Sequence, residues 1–473
     1  MESIVGETQP KPISKQRRRS IIVDYLLSTS THGLRSVGRA YSSCNRLFWI
    51  TIFTVAFGFM FFFVISSVIE YFTYPTQTTT EINLERKMPF PAVTVCNANP
   101  YRLDKMNASL VAFVSRLYSP NKTYNQNLLD SLAIPLVIDL FNRNQTEELA
   151  SIGFQLSDIL LSCVYNGIDC SNLFTRSLTS ALGNCFTFNW KTSTPFFTIA
   201  DYGDTLLLRE ALQMTFYVPR ESNFPVPYFM IGLNIVLHDN DEFPLSIENG
   251  LALAPGLSHL ITYRKSSETF LPAPYSQCTS NVSSDLRALY RTTFTNRNVS
   301  DSILYSESVC NELCELAYIF SQCSCILPIP FFTRNVLALN GSLVSARICN
   351  PLTNEFSCAF TAKQQLAASD QLQTAWCSHC TSQCQYTDFT SDLSAQAAPS
   401  DTEKATWAAA LLNGSNTTIL LPDDFAQNFS YYMDRNYLRV EIQCGSKYVI
   451  EYKQVATLSL IDVFASIGGQ SGL

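Results

Sequence analysis

From Leu47 to Ile69 the chain runs for 23 residues without a charge. As a helix rising 1.5 Å per residue this run is roughly 34 Å long, enough to cross a hydrocarbon core of ~30 Å. Trp49 and Tyr71 stand where interfacial aromatics belong. A cleaved leader would be shorter, nearer the start and followed by small residues; here Glu70-Tyr71-Phe72 follows. A second apolar segment closes the sequence, Val455 to Leu473, with Asp462 as its one acid. It reads as the start of a second membrane helix cut short. Four segments result: 1–46, 47–69 as the first transmembrane helix, 70–454 as a folded domain, and 455–473 as the approach to a second helix.

Within 70–454 the pattern changes to mixed α and β. Ala92–Val95, Leu212–Val218, Phe229–Leu237 and Tyr437–Tyr452 alternate as strands do, with Leu438, Val440 and Ile442 interleaved with Arg439, Glu441 and Gln443. Helical spacing appears around Asn107–Leu117, Leu128–Phe141, Ser308–Phe320 and Ala359–Trp376. Cys310 and Cys314, at i and i+4, share one helix face.

Charge orients the chain. Residues 1–46 hold eight basic and three acidic side chains, +5, so the remainder carries −12 of the total −7. By the positive-inside rule 1–46 is cytoplasmic and 70–454 extracellular. The sequons agree: Asn107, Asn121, Asn144, Asn281, Asn298, Asn340, Asn413, Asn416 and Asn428 all follow the span. Cysteine usage agrees too, because fourteen of the sixteen lie between Cys96 and Cys384, an even number that suits an oxidising exterior. Cys377-x-x-Cys380-x3-Cys384 with His379 has zinc-like spacing, but zinc needs thiolates kept reduced, so no metal and no cofactor is expected. A net charge of −7 disfavours nucleic acid. An enzyme is disfavoured as well: there is no H-E-x-x-H or P-loop, and Gly469-Gln470-Ser471-Gly472-Leu473 misses G-x-S-x-G at its last position.

Four motifs together carry a family resemblance. They are Ser30-Thr31-His32-Gly33 before the span, Phe90-Pro91-Ala92-Val93-Thr94-Val95-Cys96-Asn97 after it, Cys310-x3-Cys314-x8-Cys323-x-Cys325, and the closing Gly468-Gly469-Gln470-Ser471-Gly472-Leu473. The chain resembles subunits of the degenerin/epithelial sodium channel family, with some likeness to its FMRFamide-gated members. The resemblance implies an α+β, membrane-anchored, disulfide-rich clenched-hand ectodomain of palm, β-ball, finger, thumb and knuckle between two transmembrane helices, the second truncated. It implies a plasma-membrane, amiloride-sensitive channel for sodium and other monovalent cations, assembled as a homo- or hetero-trimer with related subunits.

The resemblance also implies disulfides Cys96–Cys185, Cys163–Cys170, Cys278–Cys384, Cys310–Cys380, Cys314–Cys377, Cys323–Cys358 and Cys325–Cys349, leaving Cys44 and Cys444. It assigns gating roles to His32 and Gly33 in a re-entrant stretch, to Ala465 at a small-residue site near the pore mouth, and to Tyr74 and Tyr275 as a pair that couples ectodomain to membrane. Gly468, Gly469 and Ser471 fall at the pore entrance.

The stimulus is read from residues present and missing. Acid-sensing members carry thumb acids two, six and ten residues after the cysteine matching Cys358; here Phe360, Gln364 and Ala368 stand there. No R-x-x-R processing site lies outside the membrane. What remains is a ligand, a mechanical tether or constitutive opening; the likeness to FMRFamide-gated members implies gating by an extracellular neuropeptide, with constitutive, mechanical and proton gating as the alternatives. A peptide ending in Arg-Phe-amide wants a carboxylate and an aromatic pocket, and Asp201, Asp204 and Glu210 near Phe196-Phe197 supply both on composition. A non-conducting single-pass receptor, or a truncated modulatory subunit, is the competing class.

Overall fold

The computed structural model describes residues 14–31, 33–85, 87–118, 126–191, 196–199, 211–225, 230–244, 250–294, 303–413 and 418–471. Two compact units emerge: Met1–Gln77 with Val455–Leu473, and Thr78–Gln454.

The smaller unit is helical. Its main element is Ser43–Phe72, 30 residues, which contains the whole uncharged run. Ser42 caps it by accepting from the Asn45 amide at 3.1 Å, and at the far end the Thr73 hydroxyl donates to the Glu70 carbonyl at 2.6 Å. Phe57, Phe59, Phe61, Phe62 and Phe63 are all exposed, the surface of a helix whose solvent is lipid rather than protein. Gly33 caps a short helix, Leu34–Arg39, with φ 88°. The helix Leu460–Ser471 packs on Ser43–Phe72, with the Ser67 and Ser466 hydroxyls 3.3 Å apart. It opens with a reciprocal cap: the Ser459 amide donates to Asp462 Oδ2 at 2.8 Å and the Asp462 amide donates to Ser459 Oγ at 3.2 Å.

The larger unit combines two sheets with packed helices. The first sheet runs in the order Thr76–Leu84, Tyr448–Ala456, Leu257–Thr269, Tyr437–Cys444, Ala211–Tyr217, Leu160–Tyr165, Ile168–Asp169, with Gln385–Ala397 paired antiparallel along all of Leu257–Thr269. The second, five-stranded, runs Leu251–Leu253, Leu233–His238, Ala92–Asn97, Gly183–Phe188, Phe174–Thr179. Ala92–Asn97 is buried at every position, its polar residues Thr94 and Asn97 included. A third layer of helices, centred on Glu307–Cys323, buries Leu313, Leu316 and Ile319 among Leu136, Leu140 and Phe141.

Four expected elements differ from the observed ones. The run Tyr437–Tyr452 is not one strand but two, Tyr437–Cys444 and Tyr448–Ala456, both parallel to Leu257–Thr269. Tyr263 stands opposite Cys444 while Ser266 stands opposite Ile450, so six residues span three and Gly445–Lys447 is extruded. Only glycine fits at this break, since a Cβ at Gly445 would lie 2.4 Å from Thr262 Cγ2. The helix over Leu128–Phe141 divides into Gln126–Ser131 and Ala133–Asn142, because Pro135 has no amide proton with which to continue the first ladder. The helix over Ala359–Trp376 divides into Glu355–Ala367 and Asp370–Cys377; Ser369 Oγ accepts from the Leu372 amide at 3.3 Å and starts the second. The strand expected from Phe229 begins at Leu233.

Candidate functional site

The structure joins the fourteen cysteines as Cys96–Cys185, Cys163–Cys170, Cys278–Cys384, Cys310–Cys380, Cys314–Cys377, Cys323–Cys358 and Cys325–Cys349, the same pairs that the resemblance implies. Cys96 and Cys185 face each other across neighbouring strands. The last five bridges are nested, each enclosing the next, and three of them tie the helix Glu307–Cys323 to the segment Glu355–Cys380. Cys310, His379 and Cys380 come within metal-ligating distance of one another, but both sulfurs are committed to one disulfide, so this cluster has no thiolate to offer. Cys44 and Cys444 lie outside the bridges, and the Cys444 thiol donates to the Ser446 carbonyl at 3.1 Å.

The remaining sequence candidates fall in both units. Gly33 lies against the long helix, where a Cβ would come within 3.0 Å of Phe53 Cδ2; His32 lies outside the described residues. Tyr74, with φ 50°, stands 6.2 Å from the Tyr71 ring and 6.4 Å from Phe72. Tyr275, half-buried in the larger unit, donates its amide to the Pro272 carbonyl at 3.1 Å. Ala465 and Gly469 are exposed on the helix Leu460–Ser471, which also carries Gly468 and Ser471. Among the sequons, Asn144, Asn281, Asn340 and Asn428 are exposed, whereas Asn107 sits inside the helix Leu103–Leu117 with its Oδ1 buried and lacking a hydrogen bond. Asn413 closes the helix Asp401–Asn413. Asn121, Asn298 and Asn416, and the acids Asp201, Asp204 and Glu210, lie outside the described residues.

The feature that sequence reasoning missed is a cavity of about 760 Å³ in the larger unit. Four elements and the turns beside them build it. Strand Leu257–Thr269 and the residue after it contribute Glu268 and Phe270; strand Gln385–Ala397 contributes Tyr386, Asp388 and Phe389; the turn after strand Leu233–His238 contributes Glu242 and Phe243; the first turn of helix Glu307–Cys323 contributes Glu307. Glu268 and Tyr386 are direct cross-strand partners. Among the described lining residues none is lysine or arginine. Asp388 accepts from the Thr390 hydroxyl at 3.2 Å. Glu242 is the most enclosed acid: burial first, then the charge of Asp239, pushes its carboxyl up to about 7. Tyr386 is likewise raised, by burial and then by Asp388, Glu242 and Glu268. Four carboxyl groups and four aromatic rings surround one volume, a lining whose chemistry suits a cation with an apolar body. The carboxylates supply charge-assisted hydrogen bonds and the ring faces supply cation–π attraction, and the volume is that of a small-ligand site. No periodicity could reveal it, because its residues are scattered from 236 to 391 and none of the two long strands that floor it was predicted.

The sequence pattern of the amiloride-sensitive sodium channel family matches residues 25–473. The chain belongs to that family. Its curated relatives include the bile acid-sensitive ion channels of Mus musculus, 24% identical over 98% of this chain and 86% of the relative, and of Homo sapiens, 24% identical over 98% and 84%. Acid-sensing ion channel 2 of Rattus norvegicus is 23% identical over 95% of this chain and 82% of the relative. The family and these relatives are ion channels, not enzymes. For a member of a sodium-channel family, the long apolar helix, the seven disulfides and the mixed α+β domain have a shared rationale: a membrane element and a rigid domain to act upon it.

Proposed function

We propose that the chain is a subunit of a trimeric, amiloride-sensitive, ligand-gated sodium channel of the plasma membrane, with 1–46 cytoplasmic and 70–454 extracellular, opened by a cationic peptide. The observation that carries the choice of ligand is the 760 Å³ cavity in which Glu242, Glu268, Glu307 and Asp388 meet four aromatic rings without a basic side chain. A peptide ending in Arg-Phe-amide matches it in charge and in apolar surface, the guanidinium on the carboxylates and the ring beside Phe243 or Phe270. In this reading Ala465, exposed on the Leu460–Ser471 helix of one subunit, meets the same helix of its neighbours, where small side chains permit close approach. Gly33 against Phe53, six residues into the uncharged run, supports a re-entrant cytoplasmic stretch that includes His32. Tyr74 and Tyr275 each keep the gating role that the family resemblance implies, and Gly468, Gly469 and Ser471 line the pore entrance.

A second reading rests on Glu242. A carboxyl held near 7 titrates in the range of ordinary extracellular acidification, so protons would act on the same cavity, by neutralising the acid that the cation needs.

The test is current recording in oocytes. Amidated Arg-Phe peptides are expected to evoke an amiloride-blockable sodium current, with the half-maximal concentration raised at least tenfold in Asp388→Asn and Glu268→Gln. Acid-evoked current with every peptide inert transfers the stimulus to protons; no current under any condition sinks the channel reading in favour of a modulatory subunit.

A further inference from the structure

A second cavity has the opposite electrostatics. It measures about 320 Å³ and is lined by Asn144, Thr146, Arg291, Thr292, Arg334 and Asn335, with Ala288 and Leu343 as its apolar wall. Among the described residues two arginines line it and no acid does. Arg334 stands at the start of the small hairpin Asn335–Leu337/Leu343–Ser345, anchored by the Ala346 amide on its carbonyl at 2.8 Å. Its guanidinium carbon lies 3.9 Å from the centre of the Phe141 ring. That ring is itself stacked on Phe332 at 4.5 Å, which fixes where the guanidinium can sit. Among the described residues Arg334 makes no ion pair, and its Nη2 is buried without a hydrogen-bond partner. Burial without a counter-charge lowers its pKa from the ordinary arginine value.

A stacked ring attracts a cation but accepts no in-plane hydrogen bond from it. A buried N–H of a charged fork left unpaired costs several kcal/mol in general, and arginine does not escape that cost by deprotonating. Nη2 is closed off from the cavity, so the partner that fits there is an acceptor carrying negative charge, which meets the remaining N–H donors of the fork and offsets its unbalanced charge. We propose that this cavity binds a small monoanion, a halide or a carboxylate, held in the plane of the Arg334 guanidinium with the exposed Arg291 as second cation. The hydroxyl of Thr146 and the amide of Asn335 complete a polar shell, and the Ala288–Leu343 wall accommodates the short alkyl part of a carboxylate. The site is independent of the ligand cavity: the two share no lining residue. Asn144 places one sequon on the rim, so a glycan there is the rival occupant that the test must separate.

The experiment uses the purified full chain in detergent, read by its thermal unfolding midpoint. Sodium chloride or sodium acetate is titrated against lactobionate, a bulky anion, at constant ionic strength. The wild type is expected to show a saturable rise of about 2–4 °C with at least one of the two; chloride alone identifies a halide site and acetate a carboxylate site. Arg334→Met, which keeps an apolar stem over Phe141, is expected to abolish the rise or shift it at least tenfold in concentration. In lactobionate alone it should unfold no lower than the wild type, because it removes an uncompensated buried charge. Arg334→Lys, which keeps the charge without the fork, provides the same concentration shift should the methionine variant fail to fold. An equal response in the arginine variants, no response in the wild type, or a response lost in Asn144→Gln but kept in the arginine variants would each overturn the proposal.

Discussion

Removing the Cys310–Cys380 bridge should cost much less than its span suggests. The bridge closes 70 residues, and an isolated loop of that length would be worth about 4.4 kcal/mol by chain entropy. It is not isolated. Cys314–Cys377, spanning 63, lies immediately inside it. With the inner bridge intact, the outer one closes only the difference of seven residues, which by the same relation is worth about 2.3 kcal/mol. Cys278–Cys384 is the control: its span of 106 exceeds that of the next bridge inward, 70, by 36 residues, so its removal should cost about 3.8 kcal/mol. The paired alanine variants C310A/C380A and C278A/C384A would be compared by denaturant unfolding of the full chain, with m-values checked for equality. The first should lose about 1.5 kcal/mol less than the second. Equal losses, or a larger loss for C310A/C380A, would refute the nested-loop reasoning and assign the bridges an enthalpic role in holding the helix Glu307–Cys323 in place.

Three further predictions rest on single residues. His238 is buried and neutral, with Thr94 Oγ1 2.8 Å from Nε2 and the Asp239 carbonyl 2.8 Å from Nδ1; burial lowers its pKa from 6.5 to about 4. The unfolded chain therefore binds this proton more readily, and the stability His238 contributes is full above pH ~6.5 and lost as pH falls towards 4, about 3 kcal/mol in all. The denaturation midpoint of His238→Gln should show that much less acid dependence across this window, and an unchanged pH profile would contradict the assignment. Asn107 should be glycosylated less than Asn281 and Asn340, because it is half-buried within a helix with its Oδ1 enclosed while the other two are exposed; site mapping of the secreted-pathway protein by mass spectrometry checks this, and equal occupancy at Asn107 would show that the helix forms after transfer. Gly33→Ala should reduce current without reducing surface expression, since φ 88° costs a side chain about 1 kcal/mol or more and the new methyl meets Phe53 at 3.0 Å; wild-type currents from the variant would remove Gly33 from the gating region.

The membrane helix, the disulfide-bearing helix and the buried strand Ala92–Asn97 were legible because each is stated by adjacent residues. An uncharged run of 23, cysteines at i and i+4, and an alternating apolar stretch are local signals, and a local signal survives without knowledge of partners. The interrupted elements show the limit. Pro135, Ser369 and Gly445 each sat in view, but whether such a residue ends an element depends on what lies opposite, as Thr262 does for Gly445. Relative charge fared likewise. The sequence by itself determined a basic leading segment and an acidic remainder. Only the tertiary structure decided that Glu242, Glu268, Glu307 and Asp388 share one volume while Arg291 and Arg334 share another. Like charges repel, so nothing in local sequence favours gathering them; they are brought together by sheet pairing and by the bridges that hold helix to helix, and the electrostatic cost is left standing at the two cavities.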